Sequence, residues 1–182
     1  MQIGMFMANG LEEVECLTVV DLLRRAGIEV TTFSIHDDRQ ITGAHHISIL
    51  ADQLLKEADL AAFDGIVLPG GMPGTLYLKE NETVCRVTKD FADKAKLIAA
   101  ICAAPTVFGA LGLLQGKKAT CYPGMENDLV GAHFKEDGVV VDGNIITSRG
   151  LGTAIDFSLA IITYLLGENT ARELSNQIVY NK

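Results

Sequence analysis

Residues 97–105 read Leu97-Ile98-Ala99-Ala100-Ile101-Cys102-Ala103-Ala104-Pro105, and this stretch decides the fold. Its first five residues are apolar with no polar alternation, which is typical of a parallel strand covered on both faces. The run leads directly into Cys102 and then into a stretch that we predict to be helical through Leu114. Small residues lie near the cysteine on both sides, Ala99 and Ala100 before it and Ala103 and Ala104 after it, as a sharp turn requires because it crowds the backbone. We therefore predict a strand-to-helix elbow with the thiol at its apex.

Strands and helices alternate on both sides of this elbow. The predicted strands cover residues 2–8, 29–35, 65–68, 97–101 and 118–122, with hairpins over 40–51 and 139–147. Five helices are predicted. The first ends at Gly27, the second covers residues 82–94, the third follows the elbow, and the last covers residues 170–180. The fourth places Ile155, Leu159, Ile162 and Leu166 along one face. Parallel neighbours need crossover connections, so we predict an α/β fold with a doubly wound, mostly parallel sheet and helices on both faces. In such sheets the site lies beyond the carboxyl ends of the strands.

Composition limits the classes of function. The 182 residues fit one domain over 1–182, and no segment approaches the roughly 18 uncharged apolar residues that a membrane span needs. The N-terminus has no basic region typical of a secretory signal, so we expect a cytoplasmic protein. A net charge of -8 argues against binding of nucleic acid. The four cysteines are too irregularly spaced for a disulfide framework or a zinc site, so we predict free thiols and no metal or cofactor.

Cys102 is the first candidate for chemistry. A thiol at the apex of an elbow points toward the free N–H groups of the next helix, and these donors favour an anion. On this reasoning we predict a lowered pKa for Cys102, with more thiolate and a greater sensitivity to oxidation. The alternative is an inert core cysteine, because free cysteine is among the most buried residue types.

Three carboxylates follow the first predicted strand, in the sequence Asn9-Gly10-Leu11-Glu12-Glu13-Val14-Glu15. We assign Glu12 and Glu13 to stabilising the positive end of the helix dipole. Glu15 is followed by apolar positions and could face the crevice that it would share with Cys102. Burial and a nearby anion both raise the pKa of a carboxyl group. We therefore predict a protonated Glu15 that donates a hydrogen bond to the sulfur and passes protons to a substrate.

A third strand ends in Pro69-Gly70-Gly71, where glycine lets backbone N–H groups approach a ligand closely. If the N–H groups of Gly71 and Ala103 converge near the sulfur, they form an oxyanion hole for a tetrahedral adduct. Gly70, Gly71 and Ala103 are therefore our candidate backbone-binding residues. The histidines His45, His46 and His133 are interpreted as solvated surface residues, and Cys121 as a core thiol or, alternatively, a resolving thiol.

Four ordered motifs resemble the ThiJ/PfpI superfamily, in the branch of the parkinsonism-associated deglycase. They are Glu12-Glu13-Val14-Glu15, Val67-Leu68-Pro69-Gly70-Gly71, Ala99-Ala100-Ile101-Cys102-Ala103-Ala104-Pro105 and Thr147-Ser148-Arg149-Gly150. The resemblance covers nearly the whole chain. It implies a flavodoxin-like fold, a homodimer, an elbow cysteine that oxidises readily to the sulfinic acid, and a protonated glutamate, Glu15, in contact with it.

This chain departs from the family pattern at two places. Many members carry a histidine directly after the cysteine or on the strand that ends here at Tyr122, whereas this chain has Ala103 and Tyr122. The departure argues against a Cys-His dyad and against a glutamine amidotransferase, which needs histidine to activate its cysteine. The hairpin position where some relatives place an arginine near the oxidised sulfur corresponds to His45.

Three functions are consistent with these residues. The first is an enzyme of glyoxalase or deglycase type, in which Cys102 attacks a small aldehyde or dicarbonyl and Glu15 moves protons. The second is a redox-sensing or chaperone-like stress protein that is switched by oxidation of Cys102. The third is thiazole monophosphate biosynthesis, a label common in this superfamily, for which the sequence offers no phosphate signature beyond one Gly-Gly turn.

Overall fold

A seven-stranded sheet runs through the computed structural model, which describes residues 1–180. The strands are β1 (Gln2–Met7), β2 (Glu29–Ser34), β3 (Gln40–Thr42), β4 (Ser48–Leu50), β5 (Gln53–Leu54), β6 (Gly65–Leu68), β7 (Leu97–Ile101), β8 (Lys118–Ala119), β9 (His133–Phe134), β10 (Val139–Asp142) and β11 (Ile145–Ser148). The sheet order is β10-β11-β7-β6-β1-β2-β5, and its neighbours are parallel apart from the antiparallel pair β10 and β11. The predicted hairpins are confirmed as the pairs β3–β4 and β10–β11.

Helices pack on both faces of the sheet and close two buried cores. They are α1 (Glu13–Arg25), α2 (Gly74–Glu80), α3 (Glu82–Asp93), α4 (Pro105–Ala110), α5 (Ala154–Leu166) and α6 (Glu168–Gln177). Side chains of α1, α5 and α6 contribute to one core, and side chains of α2, α3 and α4 contribute to the other. The predicted fold class, flavodoxin-like with a doubly wound and mostly parallel sheet, is confirmed. No helix within residues 1–180 has the length and apolar character to cross a bilayer.

The elbow helix is shorter than predicted. Residues 102–104 form a turn, and α4 begins at Pro105, whose missing N–H suits the first turn of a helix. The helix ends at Ala110 rather than at Leu114, because Gly112 adopts a φ of 74° and turns the chain away. The strand predicted over 118–122 is also short, since only Lys118 and Ala119 pair with β9.

The predicted stripe on α5 is confirmed in part. Ile162 is fully buried, Ile155 and Leu159 are partly buried against the same core, and Leu166 is exposed. The fully buried face of the helix is formed by Ala154, Phe157, Ser158, Ile161 and Ile162. The helix is apolar around most of its circumference, and spacing alone therefore fits more than one stripe. The helix α2 was not predicted, because its start falls at Pro73-Gly74 and this dipeptide is typical of a turn.

Candidate active site

Four neighbouring strands end at one edge of the sheet, in the order β11, β7, β6 and β1. Gly150 follows β11, Cys102 follows β7, and Gly70 and Gly71 follow β6. Glu15 lies in the first turn of α1, which follows β1. Because the carboxyl ends of parallel strands lie at the same edge, residues far apart in the sequence meet in one crevice.

The backbone at Cys102 has a left-handed conformation. Its φ is 65°, a region in which the Cβ of an L-residue is crowded. Hydrogen bonds hold this turn from both sides, since the Cys102 N–H donates to the Ser148 carbonyl at 2.9 Å and the Cys102 carbonyl accepts from the Tyr122 N–H at 2.7 Å. The predicted sharp turn at the cysteine is therefore confirmed, and it leaves the side chain partly exposed.

Glu15 is buried beside the cysteine. Glu15 is 1% exposed. Its Oε2 accepts a hydrogen bond from the Gly70 N–H at 3.0 Å, and its carboxylate accepts a second hydrogen bond from the Cys102 thiol. Burial raises the pKa of Glu15 to about 7, against the hydrogen bonds that lower it. The predicted inward orientation and the raised pKa are both confirmed, so the carboxyl group exchanges a proton near neutral pH. The predicted hydrogen bond from a protonated Glu15 to the sulfur is wrong in direction, because the thiol donates it to the carboxylate.

Two backbone N–H groups meet at the sulfur, those of Gly71 and Ala103. Both favour the thiolate, yet the pKa of Cys102 is raised to about 12, mainly by burial and next by the charge and hydrogen bond of Glu15. The prediction of a lowered pKa for Cys102 is therefore wrong. Two N–H donors and the six-residue helix α4 do not offset the loss of water and an adjacent carboxylate.

A negative charge on Glu15 disfavours a negative charge on Cys102. The carboxylate raises the pKa of the thiol, and that effect disappears when Glu15 is protonated. The pair therefore shares one proton over a wide pH range, and a thiolate forms while Glu15 holds that proton. The arrangement couples the nucleophile directly to a proton donor.

Glycine is required at both positions of the turn after β6. A Cβ on Gly70 would collide with the Cβ of Cys102 and stand 2.6 Å from the Oε2 of Glu15. Gly71 has a φ of 90°, and a Cβ there would collide with the backbone N of Glu12. The Glu12 N–H in turn donates to the Gly70 carbonyl at 2.8 Å. Close backbone packing thus fixes the position of the carboxylate against the sulfur.

Residues 1–164 of the chain match the DJ-1/PfpI family. The chain belongs to that family. It is 42% identical to DJ-1 homolog B of Arabidopsis thaliana over 175 residues, and it covers 40% of the length of that relative and 44% of homolog A. It is 33% identical over 165 residues to a protein of Caenorhabditis elegans named glutathione-independent glyoxalase DJR-1.2, with 90% of this chain and 87% of that protein covered. The crystal structure of Drosophila melanogaster DJ-1beta superposes with a TM-score of 0.95 at 37% identity, covering 100% of this chain and 98% of the other.

Glu12 and Glu13 play different parts in this DJ-1/PfpI chain. Glu12 caps α1, as its side chain accepts from the Val14 N–H at 3.4 Å. Glu13 is buried and accepts hydrogen bonds from the N–H of His45 at 2.8 Å and from its Nδ1 at 3.0 Å. The prediction that Glu13 only stabilises the helix dipole is therefore wrong, because it anchors the β3–β4 hairpin onto α1. Glu12, Glu13 and His45 lie close enough together to hold a metal ion, but both Glu13 oxygens already accept N–H hydrogen bonds from the hairpin.

The other cysteines lie outside this DJ-1/PfpI site. Cys16 and Cys121 are buried, and burial is the main cause that raises the pKa of Cys16 to about 12 and that of Cys121 to about 11. The interpretation of Cys121 as a core thiol is confirmed. Cys85 is partly exposed on α3, and its thiol donates to the Lys79 carbonyl at 3.2 Å. Cys102 packs against the core of α1 and α5, whereas Cys121 belongs to the core on the other face of the sheet.

The sequence did not single out Gly150 as a site residue. A Cβ on Gly150 would stand 3.9 Å from the sulfur of Cys102, 3.9 Å from the Oε1 of Glu15 and 3.5 Å from the Cδ2 of Tyr122. The sequence did contain a signal for Gly150, because it follows a strand that lies next to the elbow strand. Gly70 was predicted as a site residue from the same kind of position. Gly150 therefore forms one wall of the crevice in this DJ-1/PfpI chain.

Proposed function

We propose that this chain is a cysteine-dependent enzyme that acts on small reactive dicarbonyls or their early adducts, with glyoxalase-type or deglycase-type activity. The observation that carries the proposal is the buried hydrogen bond between Glu15 and Cys102, because it joins a nucleophile to a group that exchanges a proton near pH 7. The name of the Caenorhabditis elegans relative, a glutathione-independent glyoxalase, supports the same class of substrate.

The first step forms a bond between sulfur and carbon. The Cys102 thiolate adds to the aldehyde carbon of the dicarbonyl, and the carbonyl oxygen takes the proton from Glu15, which gives a hemithioacetal. The N–H groups of Gly71 and Ala103 lie at the sulfur and are suited to stabilise the developing oxyanion. Glu15 is left as a carboxylate, ready to act as a base.

The second step moves a proton between two substrate carbons. The Glu15 carboxylate removes the proton from the carbon bound to sulfur and returns it to the neighbouring carbonyl carbon, while the hydroxyl proton of the first carbon passes to the oxygen of the second, so the first carbon is oxidised and the second reduced. The product is a thioester of a 2-hydroxy acid on Cys102. Water then hydrolyses the thioester and releases the acid and the thiol. No external oxidant or reductant is consumed, and methylglyoxal plus water gives lactate.

Lactate formation from methylglyoxal tests this proposal. We expect the purified wild-type protein to form lactate and the variants Cys102→Ser and Glu15→Gln to lose at least about 100-fold in turnover. The matched controls are Cys85→Ser, a thiol outside the site, and Glu173→Gln, an exposed carboxyl on α6. Turnover that survives in Cys102→Ser would exclude the cysteine as the nucleophile.

A redox-sensing role is the second candidate, favoured by the partial exposure of Cys102 and by the two N–H groups at its sulfur. Peroxide would oxidise the thiolate to the sulfenic acid and be reduced to water, and a second equivalent would give the sulfinic acid. Intact-mass measurement after mild peroxide treatment tests this role. Absence of lactate formation, together with selective oxygen addition at Cys102 and a shifted melting temperature, would favour the sensor over the enzyme.

We further propose that the chain forms a homodimer in the cytoplasm, where its free thiols suit a reducing compartment. Large apolar side chains are exposed on α1 and on the hairpin that packs against it. These are Val14, Leu17, Ile47 and Leu50, each between 43% and 66% exposed. Light scattering coupled to gel filtration tests the assembly. A Leu17→Glu variant is expected to be monomeric, and a monomeric wild-type protein would contradict the proposal.

A further inference from the structure

The space beside the Cys102 sulfur is closed on the side of Gly70 and open on the side of Gly150. On the side of Gly70 it is closed, because even a methyl group there would collide with Cys102. On the side of Gly150 it is open enough for a methyl group in ordinary van der Waals contact with the sulfur, at 3.9 Å. A carbon that becomes bonded to the sulfur can therefore extend its substituent over Gly150.

The far wall of this space is the ring of Tyr122. The position of a Gly150 Cβ lies 3.5 Å from the Cδ2 of Tyr122, so the ring edge faces the same gap as the sulfur and the Glu15 carboxyl. The backbone of Tyr122 is tied to the elbow, since its N–H donates to the Cys102 carbonyl at 2.7 Å. Tyr122 is 52% exposed, so the gap opens toward solvent along this residue.

We propose that Tyr122 and Gly150 form a substituent subsite that gives this chain a preference for dicarbonyls with a planar apolar group, such as arylglyoxals. The inference rests on the proposed function and specifies its substrate class. An aryl group on the carbonyl carbon next to the reacting aldehyde carbon lies over the bare Cα of Gly150, where no side chain blocks it, and against the ring of Tyr122. Aromatic pairs prefer such offset or edge contacts. Tyr122 acts on specificity here and takes no proton.

Another explanation of the same contact is purely structural, with Tyr122 covering Gly150 and supporting the turn. That explanation predicts that removal of the ring lowers stability or the rate with every substrate equally. A subsite instead changes the ratio between an aromatic and an aliphatic substrate, because only the aromatic one loses a contact. The ratio of kcat/KM for phenylglyoxal to that for methylglyoxal therefore separates the two explanations.

Steady-state kinetics with both substrates test the subsite. We expect Tyr122→Ala to lower the ratio about three- to tenfold, as the loss of one aromatic pair implies, whereas Tyr122→Phe retains it. Gly150→Ala should lower the rate with phenylglyoxal more than that with methylglyoxal, because its methyl group occupies the gap. Tyr164→Ala, which removes an exposed tyrosine on α5, is the matched control. An unchanged ratio in Tyr122→Ala would overturn the inference.

A second measurement does not depend on turnover. The rates at which N-phenylmaleimide and N-ethylmaleimide alkylate Cys102 are compared by intact mass in a Cys85→Ser background. We expect the preference for the phenyl reagent to fall in Tyr122→Ala and to persist in Tyr122→Phe. If the wild type turns over neither dicarbonyl, the proposed function fails, while this ratio alone decides whether the aromatic subsite exists. Equal ratios in the wild type and Tyr122→Ala would reject it.

Discussion

The Cys102 thiol donates a hydrogen bond to the Glu15 carboxylate, and burial raises the pKa of both groups. Since the two cannot both be charged at low energy, the site holds one negative charge, and the proton decides which residue carries it. Glu15 thus has opposite effects on the sulfur. As a carboxylate it suppresses the thiolate, and as a carboxylic acid it permits the thiolate and supplies the proton for the adduct.

Replacement of Glu15 by glutamine should separate thiol reactivity from turnover. The charge that raises the pKa of Cys102 is removed in Glu15→Gln, so the pKa of the thiol falls and alkylation at neutral pH becomes faster than in the wild type. Lactate formation should nevertheless be lost, because the amide cannot move protons. Alkylation by iodoacetamide is followed against pH by intact mass, with Cys85→Ser as the common background. An alkylation rate in Glu15→Gln no greater than that of the wild type would contradict this account.

The pH dependence of stability should report the buried carboxyl. Glu15 has a pKa of about 7 in the folded protein and 4.5 as its ordinary value, so the folded state binds more protons than the unfolded state between these values. The free energy of unfolding is therefore expected to fall as pH rises from 4.5 to about 7, by about 3 kcal/mol in total from this group. Glu15→Gln should lack this fall. Urea unfolding at several pH values measures it, and parallel curves for the two proteins would refute the assignment.

Gly70→Ala should damage the site through packing. Its methyl group would overlap the Cβ of Cys102 and crowd the Glu15 carboxyl, at a cost of about 1 to 3 kcal/mol in the free energy of unfolding. Gly152→Ala is the matched control, because a Cβ at Gly152 meets no atom within 4 Å. Thermal unfolding compares the two variants. Equal stability of both would show that the backbone after β6 can move away from the sulfur.

Glu13→Gln should loosen the hairpin and lower the pKa of His45. The hydrogen bond from His45 to the Glu13 carboxylate is the main cause that raises the pKa of this histidine. The protonated form is therefore favoured in the folded protein, and the stabilisation is lost as pH rises through that raised value. An NMR titration of the His45 ring in wild type, Glu13→Gln and the remote control Glu57→Gln measures the effect. A His45 pKa that is the same in all three proteins would rule out the contact in solution.

The sequence predicted most elements that are buried on both faces. Strands β1, β6 and β7 were found because apolar runs end in clear turn signals such as Asn9-Gly10 and Pro69-Gly70, and the position of Cys102 followed from them. The meeting of Glu15 with Cys102 could be anticipated, since both follow strands of one parallel sheet. These inferences depend on local pattern and on one topological rule.

The remaining features depend on tertiary packing. The pKa of Cys102 could not be predicted from the elbow alone, because it is set by burial and by the carboxylate from another crossover. The anchoring role of Glu13 requires the hairpin that carries His45 to fold back onto α1. The distances from Gly150 to Cys102, Glu15 and Tyr122 depend on how β11 packs beside β7. None of these relationships leaves a periodic signal in the chain.

The left-handed backbone at Cys102 has a consequence for variants that lack the thiol. At a φ of 65°, glycine is more favourable than alanine by about 1 kcal/mol, so Cys102→Gly should melt at a higher temperature than Cys102→Ala although both are inert. A screen for higher melting temperature at position 102 would therefore select glycine, which has no thiol. At this position, the residue that best fits the backbone conformation is not the residue that carries the reactive thiol.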